Sequence, residues 1–103
     1  MLKYTVIFTP EAEEQLAALY RYIAAEASPN IAERYTSAII SYCEGLSTFP
    51  HRGVCRGDIR QGLRVTNYKG RTVIAYDVSA NLVSIIGVFY GGQDYENLFQ
   101  SDL

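Results

Sequence analysis

No stretch of the 103 residues approaches the roughly 20 consecutive apolar residues that cross a bilayer, which excludes a membrane-spanning helix. The start, Met1-Leu2-Lys3-Tyr4-Thr5-Val6, lacks the apolar core and small-residue cleavage site of a secretion signal, so a cytoplasmic protein is expected. Cysteine is scarce as well. Cys43 and Cys55 are the two thiols, and one conceivable bridge in an unsecreted chain is poor ground for a disulfide. Reduced thiols, one buried and one in a loop, are expected. His51 is the single histidine, and no Cys-x-x-Cys or His-x-x-x-His pair accompanies it, so no metal site is expected. Internal repeats and low-complexity segments are absent. Gly91-Gly92 after a strand is too little for a phosphate-cradling loop, and no cofactor is implied.

The composition that remains, 49% apolar and 19% charged, is that of an ordinary globular domain, and the length suits one core, so residues 1–103 are expected to form a single domain. The net charge of −2 conceals a segregation. Residues 51–72 hold Arg52, Arg56, Arg60, Arg64, Lys69 and Arg71 against Asp58 alone, while the flanking segments are acidic. An acidic protein with one basic segment is a weak nucleic-acid binder, because phosphate neutralisation drives that association. No direct sequence-specific nucleic-acid contact is expected, and an acidic patch on a protein fits the basic segment at least as well.

Tyr4 to Phe8 is short and rich in β-branched and aromatic residues, which predicts a strand. Thr9-Pro10 then offers a cap and a first-turn proline, with Glu11, Glu13 and Glu14 placed where the helix dipole favours negative charge. Ala12, Leu16, Leu19, Tyr20 and Ile23 follow at helical spacing as a buried face, with Tyr22 off the stripe. Ser28-Pro29 repeats the start signal, and Ile31, Tyr35, Ile39, Tyr42 and Leu46 carry a second helix toward Phe49-Pro50. Residues 50–62 read as an irregular arginine-rich connection. Leu63 to Tyr68, Thr72 to Val78 and Leu82 to Tyr90 then read as strands joined by Lys69-Gly70 and Ser79-Ala80-Asn81, connections so short that only antiparallel hairpins fit.

The expected fold class is α+β: an N-terminal strand, a two-helix hairpin and a three-stranded antiparallel meander, with the helices packed on one face of the sheet. Val83 to Phe89 is apolar at nearly every position, as in a strand covered on both faces or central to the sheet. The face away from the helices, and any open edge, needs shielding.

Several segments together resemble the ParE branch of the RelE/ParE superfamily of type II toxins, over nearly the whole chain. They are Phe8-Thr9-Pro10-Glu11-Ala12, Ser28-Pro29 with Ala32 and Arg34, Phe49-Pro50-His51-Arg52-Gly53, Asp58 to Arg64, Val73 to Val78 and Ile85 to Asp94. Many relatives end the last strand with His-Gly-x-Arg-Asp, whereas Tyr90 and Gln93 stand at those His and Arg positions here. The resemblance implies a toxin that binds and inhibits DNA gyrase, blocks replication, and is neutralised by a ParD-like antitoxin in a hetero-oligomer. The superfamily's other branch, the RelE-type ribosome-dependent ribonucleases, is the alternative, and an inactive member is a third.

A ribonuclease needs a general base, a general acid and cations around one phosphate. The sheet region offers Arg60, Arg64, Lys69, Arg71, Tyr68, Tyr76 and Tyr90, but lysine is nearly absent and the overall charge is acidic. A binding inhibitor needs no catalytic residues, only anchors, and arginine and tyrosine serve that role often. Arg56, Arg60, Arg64, Arg71, Tyr90 and Gln93 are therefore the expected target-binding residues. Tyr90 equally continues an apolar strand, and Asp94 reads as a turn or cap residue.

Overall fold

The computed structural model describes residues 3–91. Strand β1 (Thr5–Phe8) leads into helix α1 (Pro10–Glu26), then helix α2 (Pro29–Glu44) and a short 3₁₀ turn at Gly45–Ser47. Strands β2 (Val54–Cys55), β3 (Leu63–Tyr68), β4 (Thr72–Ser79) and β5 (Leu82–Tyr90) complete one five-stranded sheet of order β1-β5-β4-β3-β2. This is the expected α+β architecture, with β1 parallel to β5 and the rest antiparallel.

Both helices begin as their signals demand. The Thr9 hydroxyl accepts from the Ala12 amide at 3.2 Å and the Ser28 hydroxyl accepts from the Ile31 amide at 3.1 Å, each followed by proline in the first turn. α1 buries Ala12, Leu16, Leu19 and Ile23. Tyr20, expected on that stripe, is instead 37% exposed. α2 departs further from expectation. It buries Ala32, Thr36, Ile39 and Cys43, and Ile31 lies 44% exposed. The reason is close packing of the two helices, which favours small side chains at the contact over large apolar ones. α2 also stops at Glu44, earlier than Phe49-Pro50, and Phe49 is exposed.

The tyrosines on α2 reach across to the sheet. Tyr35 and Thr72 hydroxyls bond at 2.8 Å, and Tyr42 and Thr66 hydroxyls at 2.9 Å. Their phenols pair with the buried Thr72 and half-buried Thr66 hydroxyls while their rings pack on the core, which is how a half-buried tyrosine combines apolar burial with a satisfied polar tip.

β5 lies between β1 and β4, within the sheet, one of the two placements expected from its apolar run. Its register with β4 passes from Ala75 opposite Gly87 to Tyr76 opposite Ile85, so Ile86 is an extra residue. That insertion changes which residues face the helices. Val83 and Ile85 do so before it, Val88 and Tyr90 after it, and Phe89 turns to the other face. There it packs with Ile59, Leu63 and Ala75, beside half-buried Val65, Val73 and Ile86. Ile59, from the 56–62 connection, is the described side chain that covers this second face.

Two corrections fall in the connection between α2 and β3. It is not wholly irregular, because Val54 and Cys55 pair antiparallel with Val65 and Arg64 and form the sheet's last edge. Cys55 is thus an exposed strand residue rather than a loop thiol, while Cys43 is buried and its thiol is pushed up to about 12 by desolvation. No helix among the described residues is long and apolar enough to cross a membrane.

Two outcomes are expected. Native protein should react with a thiol reagent at Cys55 alone and yield the second equivalent only in denaturant; two fast equivalents would show that the Cys43 site is open. Ala80 sits at φ 53°, a left-handed conformation costing an ordinary residue about 1–2 kcal/mol. Glycine there loses about 0.5–1 kcal/mol to its own chain entropy, so Ala80→Gly should gain up to about 1 kcal/mol and raise Tm by a few degrees. A lower Tm would contradict this account of the turn.

Candidate functional site

The arginine-rich connection is held to the sheet from two sides. The Gly53 amide donates to the Tyr76 hydroxyl at 3.0 Å, and Arg64 Nη1 donates to the carbonyls of His51 at 3.1 Å and Gly53 at 2.9 Å. Tyr76 is fully buried, and burial raises its pKa, opposed by the Gly53 hydrogen bond and the nearby Arg64 charge. Glycine at 53 is a steric requirement. A Cβ there would stand 2.7 Å from the Tyr76 hydroxyl and 2.8 Å from the Val65 carbonyl oxygen. These contacts fix His51, Arg52 and the β2 edge in place, and Arg52 lies over the Tyr42 ring at 5.3 Å.

Arg56 and Asp58 form a two-pronged pair on the same connection, Nε to Oδ1 and Nη2 to Oδ2, both at 3.0 Å. The Arg56 hydrogen bonds hold the Asp58 carboxyl below its ordinary pKa. Arg60 is exposed one turn further on, its amide bonded to the Arg56 carbonyl at 3.2 Å. Arg56, Arg60 and Arg64 therefore gather where β3 begins.

Arg71 and Tyr90 occupy the opposite end of the sheet. Tyr90 is opposite Thr72 in the β4–β5 ladder, and the Gly91 amide donates to the Arg71 carbonyl at 3.1 Å. Tyr68, beside this end, lies four positions along β3 from Arg64, a run of about 13 Å at the usual strand rise. Here a cleft of about 540 Å³ opens between α1 and β5, lined among others by Gln15, Leu19, Tyr22, Arg71, Val88 and Tyr90. Tyr22, which stands off the α1 stripe, is 55% exposed and meets the Tyr90 ring with centroids 6.1 Å apart. The aromatic contact continues from Tyr90 to Tyr35 at 5.9 Å, on to Tyr68 at 5.8 Å and to Tyr42 at 5.4 Å.

Of the six residues expected to contact a target, the five described fall into two groups rather than one patch; Gln93 lies outside the described residues, as does Asp94. Arg64 has a structural duty besides any external one. Gln15 and Tyr22, which line the cleft beside Arg71, were beyond reach of the sequence pattern, because both stand next to the α1 stripe as ordinary surface positions. Among the described residues no three or more His, Cys, Asp or Glu side chains gather closely enough to hold a metal ion. Cys43, Cys55 and His51 accordingly do not converge.

The chain's residues 6–95 match a family model described as the ParE toxin of the parDE type II toxin–antitoxin system. Its fold resembles a chain of the chromosomal ParDE system from P. aeruginosa, with TM-score 0.77 and 16% identity over 87% of this chain and 98% of that one. It also resembles a chain of the RelBE2 toxin–antitoxin complex from Mycobacterium tuberculosis, with TM-score 0.63 and 22% identity over 86% and 99%. No curated protein matches the sequence significantly.

Removing the Tyr76 hydroxyl strands the Gly53 amide, so Tyr76→Phe should cost about 1–3 kcal/mol in urea unfolding. Gly53→Ala should cost at least as much, since its second clash is with backbone. Losses within about 0.5 kcal/mol, the range of an ordinary surface change, would show that the connection is not held as described.

Proposed function

The chain belongs to the ParE toxin family of type II toxin–antitoxin systems, and from that membership we propose that it binds and inhibits DNA gyrase, blocks replication, and is neutralised by a ParD-like antitoxin in a hetero-oligomer. Its site of action is the cytoplasm. Arg56 and Arg60 at one end of the sheet, and Arg71 with Tyr90 at the other, are the gyrase contacts in this reading. Gln93, which lies outside the described residues, is a further contact in this reading, and Arg64 contributes by holding the 51–53 segment in position.

The division of the cations into two groups is the observation that carries the reading. Cleaving a phosphodiester requires base, acid and cation around a single phosphorus, within hydrogen-bond reach of the reacting atoms. A protein interface has no such demand. Its anchors can stand far apart so long as each is desolvated by the partner, and arginine and tyrosine are frequent among them. Tyr90 in the aromatic cluster is a rigid anchor of that kind, because its ring is already fixed by Tyr35 and Tyr22. The fold shared with a RelBE2 chain keeps a ribosome-dependent ribonuclease as the second reading, and the test must separate the two.

Purified protein incubated with gyrase and relaxed plasmid should prevent supercoiling, while translating ribosomes supplied with mRNA should leave the message intact. Arg71→Ala and Tyr90→Ala should each weaken the gyrase effect by roughly tenfold or more, the loss typical of an anchor side chain. Cleaved mRNA with normal supercoiling would overturn the proposal and make the protein an enzyme; no effect in either tube would leave an inactive family member.

A further inference from the structure

β2 is only two residues long, because the chain turns inward at Gly53 to reach the Tyr76 hydroxyl. Its ladder covers β3 no further than Val65, and the edge of β3 from Thr66 to Tyr68 pairs with no strand among the described residues. The Arg56 amide donates to the Leu63 carbonyl at 2.8 Å, so Leu63 turns its backbone groups toward this edge. At the two-residue period of a strand Val65 and Asn67 do the same, and the exposed Asn67 presents its amide and carbonyl beyond the end of β2. The half-covered edge of β5 differs. There the Val88 amide is met by the protein itself, Gln15 Oε1 accepting from it at 2.7 Å.

A pocket of about 310 Å³ lies on the open edge of β3, lined among others by Arg52, Val54, Arg56, Thr66 and Asn67, and none of its described lining residues is acidic. Its cations flank the edge. Arg52 lies over the Tyr42 ring of α2, on the helix side, whereas Val54, two residues before Arg56, pairs with Val65 on the other face. Arg56 is engaged by Asp58, but Arg52 makes no ion pair among the described residues. A guanidinium held over a ring keeps a fork of N–H donors that fits a carboxylate. Open sheet edges bind extended peptides through main-chain hydrogen bonds, and the flanking side chains select the sequence. A second copy of this chain is a poor occupant, since two-fold edge pairing would set the arginines of one copy against those of the other.

On the gyrase reading above, on which this rests, we infer that an extended acidic segment of gyrase adds to β3 at Asn67, in line with β2. The Asn67 amide and carbonyl supply the main-chain bonds, Arg52 takes a carboxylate, and Val54 and Val65 receive an apolar residue on the opposite face. The segment continues the surface that begins at Arg56 and Arg60, so Arg52 joins the target contacts. The shortness of β2 is what leaves room for it.

The test titrates gyrase holoenzyme into wild-type protein and into Arg52→Glu, Arg52→Gln, Asn67→Pro and Lys3→Glu variants, with Asn67 amide exchange in the complex quenched and read by NMR. Proline at 67 removes the outward amide and obstructs an added strand, yet takes no bond from the β3–β4 ladder, to which Arg64, Thr66 and Tyr68 turn their amides. Lys3 precedes β1 at the far edge of the sheet. Expected are slower Asn67 exchange on binding, affinity lower by roughly tenfold or more for Arg52→Glu and Asn67→Pro, a smaller loss for Arg52→Gln, and an unchanged affinity for Lys3→Glu. Should Asn67→Pro unfold at lower urea than wild type, the two Arg52 variants and the exchange decide alone. Gyrase binding with unaltered Asn67 exchange and full affinity of both Arg52 variants would overturn this inference and leave the gyrase reading intact. Asn67 protection brought by a cognate antitoxin instead of gyrase, or by self-association, would also overturn it, by giving the edge to another occupant. A wild-type protein that does not bind gyrase would overturn that reading and this inference together.

Discussion

A strand that is apolar at nearly every residue folds stably only if both faces and both edges find cover, and β5 imposes that demand on the whole molecule. Burial of such side chains contributes about 1.5–3 kcal/mol each, so the demand outweighs most local preferences. The helices answer it on one side with Leu16, Leu19, Ile23 and Ile39. The extra residue at Ile86 divides the strand so that Phe89 can serve the opposite face with Ile59, Leu63 and Ala75. β4 covers one edge completely, whereas β1 covers half of the other. The cleft beside Val88 is the remainder of that incomplete cover.

The arginine-rich connection obeys a second constraint, the burial of Tyr76. A fully buried phenol needs a partner for its hydroxyl, and the Gly53 amide provides it. Because only glycine fits there, the backbone can come close enough for Arg64 to gather the neighbouring carbonyls. The functional reading and the stability of the fold therefore share residues, with Arg64 anchoring the segment from which Arg52, Arg56 and Arg60 project.

Much of this is legible in the sequence, and the misses have physical causes. Caps, first-turn prolines and connections of two or three residues are local signals, so the helix starts and both hairpins follow from residues close together in the chain, and the apolar run of β5 marks it as covered on both faces or central. The buried face of α2 is not legible in the same way. Ala32, Thr36 and Cys43 are chosen by the close approach of α1, and apolarity alone favours Ile31 instead. β2 escapes notice because two residues cannot show an alternation; only pairing with Arg64 and Val65 makes them a strand. The candidate site is legible in its residue types but not in its layout. Arginines clustered in one stretch of sequence, from 52 to 71, are carried to opposite ends of the sheet by the length of β3, and Gln15 matters through a contact 73 residues distant in the chain.

The central claim, that this ParE-family chain arrests growth through gyrase rather than through mRNA, meets its most direct test in living cells. On induction without antitoxin, incorporation of labelled thymidine and labelled methionine would be followed minute by minute. The account predicts that DNA synthesis falls first while protein synthesis continues, and that co-expression of the antitoxin restores both. An immediate stop in protein synthesis with replication running on would contradict it.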